Sequence, residues 1–544
     1  MTGWLDHLPI LPVAIPLVAA AIMLLLRDTH RRPRLLISIA SLTAQFVVAI
    51  LLLGMVTGSI DNSWAQGVGV YLLGDWPAPF GIVVVVDRLT VIMLLTAVLL
   101  GGATWVYATA RWDRAGVHFH ALFQFLLMGL NGAFLTGDLF NLFVFFEVLL
   151  VASYGLMLHG SGRERVSASL HYIAVNLVSS FLMLIGLAII YGLAGTLNMA
   201  DLVIQAGELD VTDRRLFDTG AAILGIAFLI KAAAWPLNFW LPSAYGNAVP
   251  PVAGMFAIMT KVGVYTLVRV GSLLVPSGAP ATFSGDWMFA AGIITLVFAS
   301  VGLLATTQLQ RQAGYAVIMS SGLLLAAFGM PDAALTGHAL FYMVSSVLGM
   351  GAFFMLVEMV LRTQPFGAEL LAISQDVLHP DDDPDPFADI EDTAGVTIPA
   401  AMAFLGLAFF ACALVITGLP PMSGFVGKFS MLSAALKSTA PGVPASAPWI
   451  LVAAALGSGL LALIALCRTG IRMFWATEDL TVPTLLAREA GPVGALVLAC
   501  MAMVVCAGPI MEYMQATASY LGQPMQYVEA VLQHSPVNPA KLGG

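Results

Sequence analysis

The stretch Leu139-Phe-Asn-Leu-Phe-Val-Phe-Phe-Glu147-Val-Leu-Leu-Val151 decides the fold class of this chain. Its residues are apolar except for Asn141 and Glu147. A run of this kind is typical of a helix that crosses a lipid bilayer. A carboxylate in the middle of such a helix is costly, and its default interpretation is functional. The stretch therefore predicts a membrane protein with a working charge inside the membrane.

The composition extends this prediction to the whole chain. The 544 residues are 59% hydrophobic and 10% charged, with a mean hydropathy of +0.92, whereas a soluble domain carries about 25% charged residues. We therefore predict an all-α polytopic membrane protein with about 14 transmembrane helices, in a bacterial inner membrane. The spans are placed near 8–26, 35–57, 82–108, 117–135, 138–158, 167–194, 218–241, 249–273, 286–306, 313–329, 333–361, 398–437, 449–474 and 490–511.

Basic residues orient these spans. They concentrate in alternate loops, including Arg27, Arg31, Arg32, Arg34, Arg111, Arg114, Arg163 and Arg165. Because positive loops stay in the cytoplasm, the first loop is expected there and both termini on the outer side. The segment 363–397 holds nine acidic residues and no Lys or Arg, so it accounts for the whole net charge of -9. We expect it to be a solvated cytoplasmic loop, and the sequence assigns it no role.

Three of the five lysines lie in or beside apolar spans. They are Lys231, Lys261 and Lys428, and each costs roughly 2.5–3.5 kcal/mol at mid-bilayer. Buried in this way, lysine and glutamate side chains can exchange protons, and a row of them linked by water would be a proton relay. Each residue also has a structural alternative. Glu147 could belong to an ion pair that only stabilises a contact between helices, and the Lys428 side chain could extend to the membrane interface.

Two predicted helices are interrupted by prolines. The interruptions are Lys231-Ala-Ala-Ala-Trp-Pro-Leu-Asn-Phe-Trp-Leu-Pro242 and Thr417-Gly-Leu-Pro-Pro-Met-Ser-Gly-Phe-Val-Gly-Lys428. Proline removes a backbone donor and clashes with the preceding turn. A simple kink would explain one interruption. Two interruptions, each with a lysine, indicate a transporter built from internal repeats.

Other polar residues near the spans are more ambiguous. His338 could carry protons between lysines, because imidazole titrates near neutrality, or it could be a satisfied core residue. Asp138 could cap a helix or be the carboxylate at which cations enter the protein. For Asp87 a capping role is expected, and His118 and His120 are expected to be solvated beside a loop.

The sequence carries no signature of soluble chemistry. It has no glycine-rich phosphate loop, no Cys/His metal motif and no paired histidines of the haem-binding type. We therefore expect no cofactor, no resident metal ion, no nucleic acid partner and no nucleotide hydrolysis.

Three motifs resemble a known family. They are Thr136-Gly-Asp-Leu-Phe-Asn-Leu-Phe-Val-Phe-Phe-Glu-Val-Leu-Leu-Val-Ala-Ser-Tyr-Gly-Leu156, Thr260-Lys-Val-Gly-Val-Tyr265 and Gly418-Leu-Pro-Pro-Met-Ser-Gly-Phe-Val-Gly-Lys428. They are similar to helices five, eight and twelve of the D subunit of Mrp-type cation/proton antiporters. The wider superfamily includes the proton-pumping subunits of respiratory complex I. Two stretches, Val151-Ala-Ser-Tyr154 and Leu241-Pro-Ser-Ala-Tyr245, look more like the Mrp-type protein than like the complex I relatives.

The resemblance covers roughly residues 80–475 and implies a specific organisation. Two inverted five-helix repeats, 117–273 and 286–475, would lie between the N-terminal helices in 1–116 and a last helix with a tail in 476–544. Glu147 and Lys231 would form an ion pair, and Lys261 and His338 would continue the hydrophilic axis. Lys428 would be the terminal proton exchanger. The resemblance also implies that the chain works with other membrane subunits.

Three functional hypotheses follow. The first is a proton-translocating subunit of a multi-subunit antiporter that exchanges Na+ or K+ for H+. The second, an alternative, is the proton-pumping membrane subunit of an NADH–quinone oxidoreductase or a membrane hydrogenase. The third is a structural membrane subunit that transports nothing.

Overall fold

The computed structural model describes residues 4–26, 30–62, 64, 67–274, 285–363, 399–438, 444–474 and 484–535. Within these ranges the chain is a bundle of α-helices with one short β-hairpin, so the all-α membrane fold is confirmed. The acidic segment 363–397 lies outside the described residues, apart from Thr363.

Nineteen α-helices occur in the described part of the chain. In chain order they are α1 Leu11–Leu25, α2 Arg31–Val56, α3 Arg88–Ala108, α4 Phe119–Leu135, α5 Leu139–Met157, α6 Arg163–Ala194, α7 Met199–Glu208, α8 Val211–Lys231, α9 Trp240–Asn247, α10 Pro250–Leu274, α11 Asp286–Ala305, α12 Leu309–Phe328, α13 Ala333–Leu361, α14 Ala400–Thr417, α15 Ser423–Lys437, α16 Ala447–Phe474, α17 Ala487–Val505, α18 Ala507–Leu521 and α19 Pro524–Leu532. A 3-10 helix, Trp4–Ile10, precedes α1.

The helices can be compared with the expected membrane crossings one by one. Eleven described helices are long and apolar enough to cross a membrane, and α4 is an additional apolar helix of shorter length. Each of the fourteen expected spans overlaps at least one described helix. The total of fourteen crossings stays a prediction.

The third expected span begins later than predicted. Residues Val83–Val86 form strand β2, which pairs antiparallel with β1, Gly69–Leu72. Four consecutive β-branched valines favour a strand over a helix. The Asp87 side chain then accepts a hydrogen bond from Thr90 N and starts α3, which confirms its capping role.

Two helices form the centre of the bundle. In α10 and α13 the most apolar 18-residue windows are each 94% buried, against 39% for α6 and 33% for α16. Helix α10 packs against α8, α12 and α13, and α13 packs against α15 as well. Helices buried all round belong to a core rather than to a lipid-facing layer. Lys261 on α10 is therefore held in the middle of the protein, whereas His338 lies near the start of α13 and is partly exposed.

Both predicted helix interruptions are present. Helix α8 ends at Lys231 and α9 begins at Trp240, while α14 ends at Thr417 and α15 begins at Ser423. Two glycines let neighbouring backbone approach these ends. A Cβ on Gly263 would lie 2.5 Å from the nitrogen of Ala232. A Cβ on Gly424 would overlap the backbone oxygen of Val415.

Candidate functional site

Lys231 is the last residue of α8, at the first interruption. Its side chain is 6% exposed, and Nζ has no hydrogen-bond partner among the described residues. Nζ lies 5.0 Å from the centre of the Phe146 ring, where the negative face of the ring attracts a cation. Glu147 acts on this ammonium only through space. A buried ammonium whose described contact is a ring face is poorly compensated, which is unusual for a purely structural charge.

Glu147 is one residue away from that ring on α5, but it faces a different partner. Its Oε1 accepts a hydrogen bond from the hydroxyl of Ser180 on α6. In the conformation seen, the side chains of Glu147 and Lys231 make no direct ion pair among the described contacts, so the expected pair stays a prediction. The reason is that the Ser180 hydroxyl satisfies the carboxylate, whereas the Phe146 ring faces the ammonium.

A small cavity adjoins Lys231. Its volume is about 20 Å³, and its wall also includes Phe146, Leu149, Leu150, Tyr172, Asn176, Trp240, Tyr245 and Met259. These side chains come from helices α5, α6, α8, α9 and α10. The cavity therefore lies at the interruption between α8 and α9, beside helices α5, α6 and α10.

Lys261, on the central helix α10, has a different environment. Its side chain is fully buried, and Nζ donates hydrogen bonds to the hydroxyls of Ser320 and Ser321 on α12. Weaker contacts reach Thr260 Oγ1 at 3.3 Å and the backbone oxygen of Val317 at 3.4 Å. All of these partners are neutral, so they solvate an ammonium without cancelling its charge.

Lys428 closes the second interruption. Its Nζ donates to the backbone oxygens of Ile416 at 2.9 Å and Thr417 at 3.0 Å, which are the last residues of α14. The negative end of a helix dipole favours a cation at this position. Only 6% of the residue is exposed, so protein encloses the side chain, whereas the depth of Lys428 in the membrane stays a prediction.

His338 lies on α13, one helical turn before Tyr342, whose ring centre is 5.9 Å from Lys428 Nζ. Its Nδ1 is 2.9 Å from the sulfur of Met511 on α18. The imidazole also lines an open pocket of about 360 Å³ that Lys437 borders. His338 is thus partly accessible rather than a fully enclosed core histidine.

The structure buries the three lysines, leaves Glu147 and His338 partly exposed, and does not join the five residues directly. Within the described part of the chain, Glu147, Lys231, Lys261, His338 and Lys428 make no hydrogen bond or ion pair with one another. The described residues also contain no group of three or more His, Cys, Asp or Glu side chains that could hold a metal ion. Proton transfer between neighbours would need intervening water or movement of the side chains.

Asp138 begins α5 as a cap, since its Oδ1 accepts from Asn141 N at 2.9 Å. Burial raises the pKa of Asp138 above its ordinary value, although hydrogen bonds from backbone N–H groups oppose this shift. The cap is therefore observed, and a role for Asp138 in cation binding stays a prediction.

Comparison with known proteins decides the family. The sequence model of the family described as "NADH:quinone oxidoreductase/Mrp antiporter, TM" matches residues 136–460, more than half of the chain. In Rhizobium meliloti (strain 1021), the D subunit of a probable K(+)/H(+) antiporter is 48% identical over 540 residues, covering 98% of both chains. The chain belongs to the family of antiporter D subunits.

A further relative agrees with this assignment, and a solved structure shares the fold. The D subunit of the Na(+)/H(+) antiporter of Alkalihalophilus pseudofirmus is 30% identical over 535 residues, covering 97% of this chain and all of the relative. A chain of the Mrp complex from Dietzia sp. DQ12-45-1b has the same fold, with a TM-score of 0.79 at 24% identity. That match covers 98% of this chain and 100% of the other.

This antiporter-family chain contains a buried ion pair that sequence reasoning missed. Arg269 on α10 contacts both carboxylate oxygens of Asp87, at 2.6 and 2.7 Å, and the two residues are 5% and 1% exposed. The Arg269 guanidinium also lies 5.7 and 5.5 Å from the rings of Tyr265 and Tyr527. The signal in the sequence was an arginine inside the Lys261 span, which attention to the lysines overlooked.

A second missed cluster joins the ends of α3, α13 and α17. Glu489 accepts from Arg111 at 2.9 Å and from Arg362 at 2.8 Å. Arg362 also pairs with Glu358, which accepts from Tyr107 Oη at 2.6 Å. The cluster contains two carboxylates, Glu358 and Glu489, and two guanidinium groups, Arg111 and Arg362. Arg362 lies immediately before the acidic segment 363–397 in the chain.

The expectation that His120 is solvated is wrong, whereas His118 is exposed as expected. His120 is 4% exposed: Trp105 Nε1 donates to its Nδ1 at 3.1 Å, and its Nε2 lies 3.6 Å from Asp113. Asp113 also pairs with Arg31 at 2.8 Å. Although burial raises the pKa of Asp113, the nearby His120 ring and the hydrogen-bonded guanidinium of Arg31 bring it below its ordinary value. His120 is buried because it faces inward from the first turn of α4.

Proposed function

We propose that this chain is the proton-translocating subunit of a multi-subunit antiporter that exchanges Na+ or K+ for H+. The relatives described above bear the names of K(+)/H(+) and Na(+)/H(+) antiporter subunits. The function is transport rather than catalysis, and the partners would be other membrane subunits of the complex.

One observation carries the proposal. Lys231, Lys261 and Lys428 are buried at 6%, 0% and 6% exposure, and none of them contacts a carboxylate among the described residues. Uncompensated charges inside a membrane protein are expensive and mark ion or proton pathways. Neutral partners such as hydroxyls, backbone oxygens and a ring face allow each lysine to gain or lose a proton.

We infer that Glu147 works as a two-position group. In the conformation seen, Ser180 holds the carboxylate. A rotated Glu147 would pair with Lys231 instead and would favour its ammonium form. Since two such arrangements of similar energy form a switch, movement of the carboxylate would raise or lower the proton occupancy of Lys231.

From Lys231, the proposed route continues through Lys261 and His338 to Lys428. The two interrupted helices support the proposed division into repeats 117–273 and 286–475, because each repeat then contains one interruption with a lysine beside it. His338 lies on α13, within the second of these repeats. We also propose that both termini lie on the outer side of a bacterial inner membrane.

The alternative function is proton pumping within a redox complex. The family description names both NADH:quinone oxidoreductase and Mrp antiporter. An antiporter complex would move protons in response to a Na+ or K+ gradient without any electron donor, whereas a redox pump would need electron transfer to a quinone or from hydrogen.

The test measures proton movement in inverted membrane vesicles that contain the whole complex, after addition of Na+ or K+. Glu147→Gln, Lys231→Met, Lys261→Met and Lys428→Met are each expected to lower cation-driven flux by roughly 100-fold, the lower end of what a positioned proton-transfer group contributes. Lys437→Met is the matched control, because Lys437 is an exposed lysine on the same helix as Lys428.

The result for the four variants decides between the hypotheses. Loss of flux in them, with normal flux in the Lys437 control and equal amounts of assembled complex, supports the proton relay. Full flux in Glu147→Gln and Lys231→Met together would refute it and would favour the structural hypothesis.

A further inference from the structure

Two buried hydrogen-bond donors beside the same cavity have no partner. They are Nζ of Lys231 and Nε1 of Trp240, and neither has an acceptor among the described residues. Lys231 is 6% exposed and Trp240 3% exposed, and both side chains form part of the wall of the 20 Å³ cavity. Buried donors in native proteins are almost always satisfied, so two orphans at one cavity require an explanation.

The size and chemistry of the cavity match one water molecule. A space of more than about 10–15 Å³ is enough for a water, which then typically makes about three hydrogen bonds to buried polar groups. The wall offers acceptors as well, because Asn176 carries an amide oxygen and Tyr172 and Tyr245 carry hydroxyls. A water could accept from the two orphan donors and donate to one of these oxygens.

A cation does not fit the same space. The two orphan groups present hydrogen atoms, and one of them belongs to an ammonium, so a second positive charge there would be repelled. An anion would suit the donors, but the remaining wall is largely aromatic and aliphatic. Water is the occupant that satisfies the donors without adding another buried charge.

We propose that this cavity holds one ordered water molecule that accepts hydrogen bonds from Lys231 and Trp240, and that Trp240 and Asn176 are positioning residues for Lys231. The water would solvate the ammonium while Ser180 holds Glu147. The importance of this water for transport rests on the proposed relay. The presence of the water in the cavity does not depend on that proposal.

Other ionisable groups lie on the helices packed around Lys231. They include Glu147 on α5, Tyr172 on α6, Tyr245 on α9 and Lys261 on α10. A change in the pH dependence of transport could arise from any of them. The experiment therefore compares variants that remove the water's contacts and leave these four residues in place.

The direct test is the density in a map of the complete complex at a resolution that shows ordered water. The expected result is one peak within hydrogen-bonding distance of Lys231 Nζ and Trp240 Nε1. Trp240→Phe keeps an aromatic ring but removes the donor, so the peak should be lost or displaced. Trp235→Phe is the matched control, because Trp235 lies in the same interruption, is 44% exposed and does not line the cavity.

Transport supplies the second measurement. Trp240→Phe should move the pH of half-maximal flux to lower values by about one unit, equivalent to a tenfold change in proton occupancy, because the ammonium loses its polar partner. Asn176→Leu should shift it in the same direction, and Trp235→Phe should not. A role in stability alone would lower the amount of complex and leave the pH profile unchanged, which would overturn the positioning role.

An empty cavity, or a peak that depends on chloride, would overturn the water site. These failures are distinguishable from failure of the relay. If Lys231→Met keeps full flux, the relay is refuted while the density result still stands. If Lys231→Met abolishes flux and the cavity is empty, only the water site is refuted.

Discussion

Removing the hydroxyl of Ser180 should disturb the position of Glu147 without touching any charged residue. The hydroxyl donates to Glu147 Oε1, and Ser180 is 4% exposed, so water from the surface has little access to replace it. A hydrogen bond to a charged group contributes about 1.5–3 kcal/mol. Because about 1.4 kcal/mol corresponds to a factor of ten, Ser180→Ala should shift the balance toward Glu147 paired with Lys231 by roughly 10- to 100-fold.

Such a shift should slow transport, since a proton held by a persistent Glu147–Lys231 pair is released less often. The chain offers a close control in Ser179, which is fully buried on the same helix but donates to the backbone oxygen of Ala227 at 3.0 Å. Ser179→Ala removes a hydroxyl of the same size from the neighbouring position and should change flux by no more than about threefold.

The assay is cation-driven proton flux in vesicles, divided by the amount of assembled complex and measured across a pH series. Ser180→Ala should lower the maximum rate and move the pH profile, whereas Ser180→Thr, which keeps a hydroxyl, should restore much of both. If Ser180→Ala and Ser179→Ala give the same flux and the same profile, the two-position account of Glu147 is wrong.

Three further outcomes test separate parts of the structure. Arg269→Met leaves the buried Asp87 carboxylate without its cation and should destabilise the complex by about 3–5 kcal/mol. Adding Asp87→Asn to this variant should restore most of the lost thermal midpoint. Equal midpoints for the single and the double variant would contradict the ion pair. Asp138→Asn keeps a good helix cap and removes a charge that burial disfavours, so cation-driven flux and stability should both be retained. A loss of cation-driven flux would instead assign Asp138 to the cation path. Burial lowers the pKa of His159 below its ordinary value, so this histidine binds a proton at higher pH in the unfolded chain than in the folded one. The stability of the complex should therefore fall as pH drops from about 7 toward 5. An equally steep fall in the His159→Gln variant would rule this histidine out as the cause.

Sequence reasoning predicted the elements that follow from hydrophobicity and proline. The spans, both interruptions and the burial of the three lysines could be predicted, because a charge in an apolar run is visible without knowing its neighbours. The helix start at residue 82 was wrong. A run of four valines favours a strand, but hydrophobicity alone does not show this, and the pairing with Gly69–Leu72 confirms the strand.

The partners of the charged residues could not be predicted, because they come from helices distant in the chain. Ser180 contacts Glu147 across 33 positions, and Arg269 reaches Asp87 across 182. A serine in an apolar helix looks the same whether it bonds to its own helix or to a carboxylate on another. Arg269 could have been noticed as an intramembrane charge, but its counter-ion depended on how α3 and α10 pack.

The different partners of the three lysines have a common electrostatic consequence. Lys231 faces a ring, Lys261 faces hydroxyls, and Lys428 faces the carbonyl end of a helix. None of these partners carries a full negative charge, so Glu147 is the one carboxylate among the five residues of the proposed relay. Like charges in a buried region disfavour one another's charged forms, and protonation of one lysine therefore lowers the tendency of its neighbour to hold a proton. A single mobile carboxylate at one end is then enough to change the occupancy of the next site, and that change can pass along the row. Were each lysine paired with its own acid, every site would be neutralised locally, and the sites would lose this coupling.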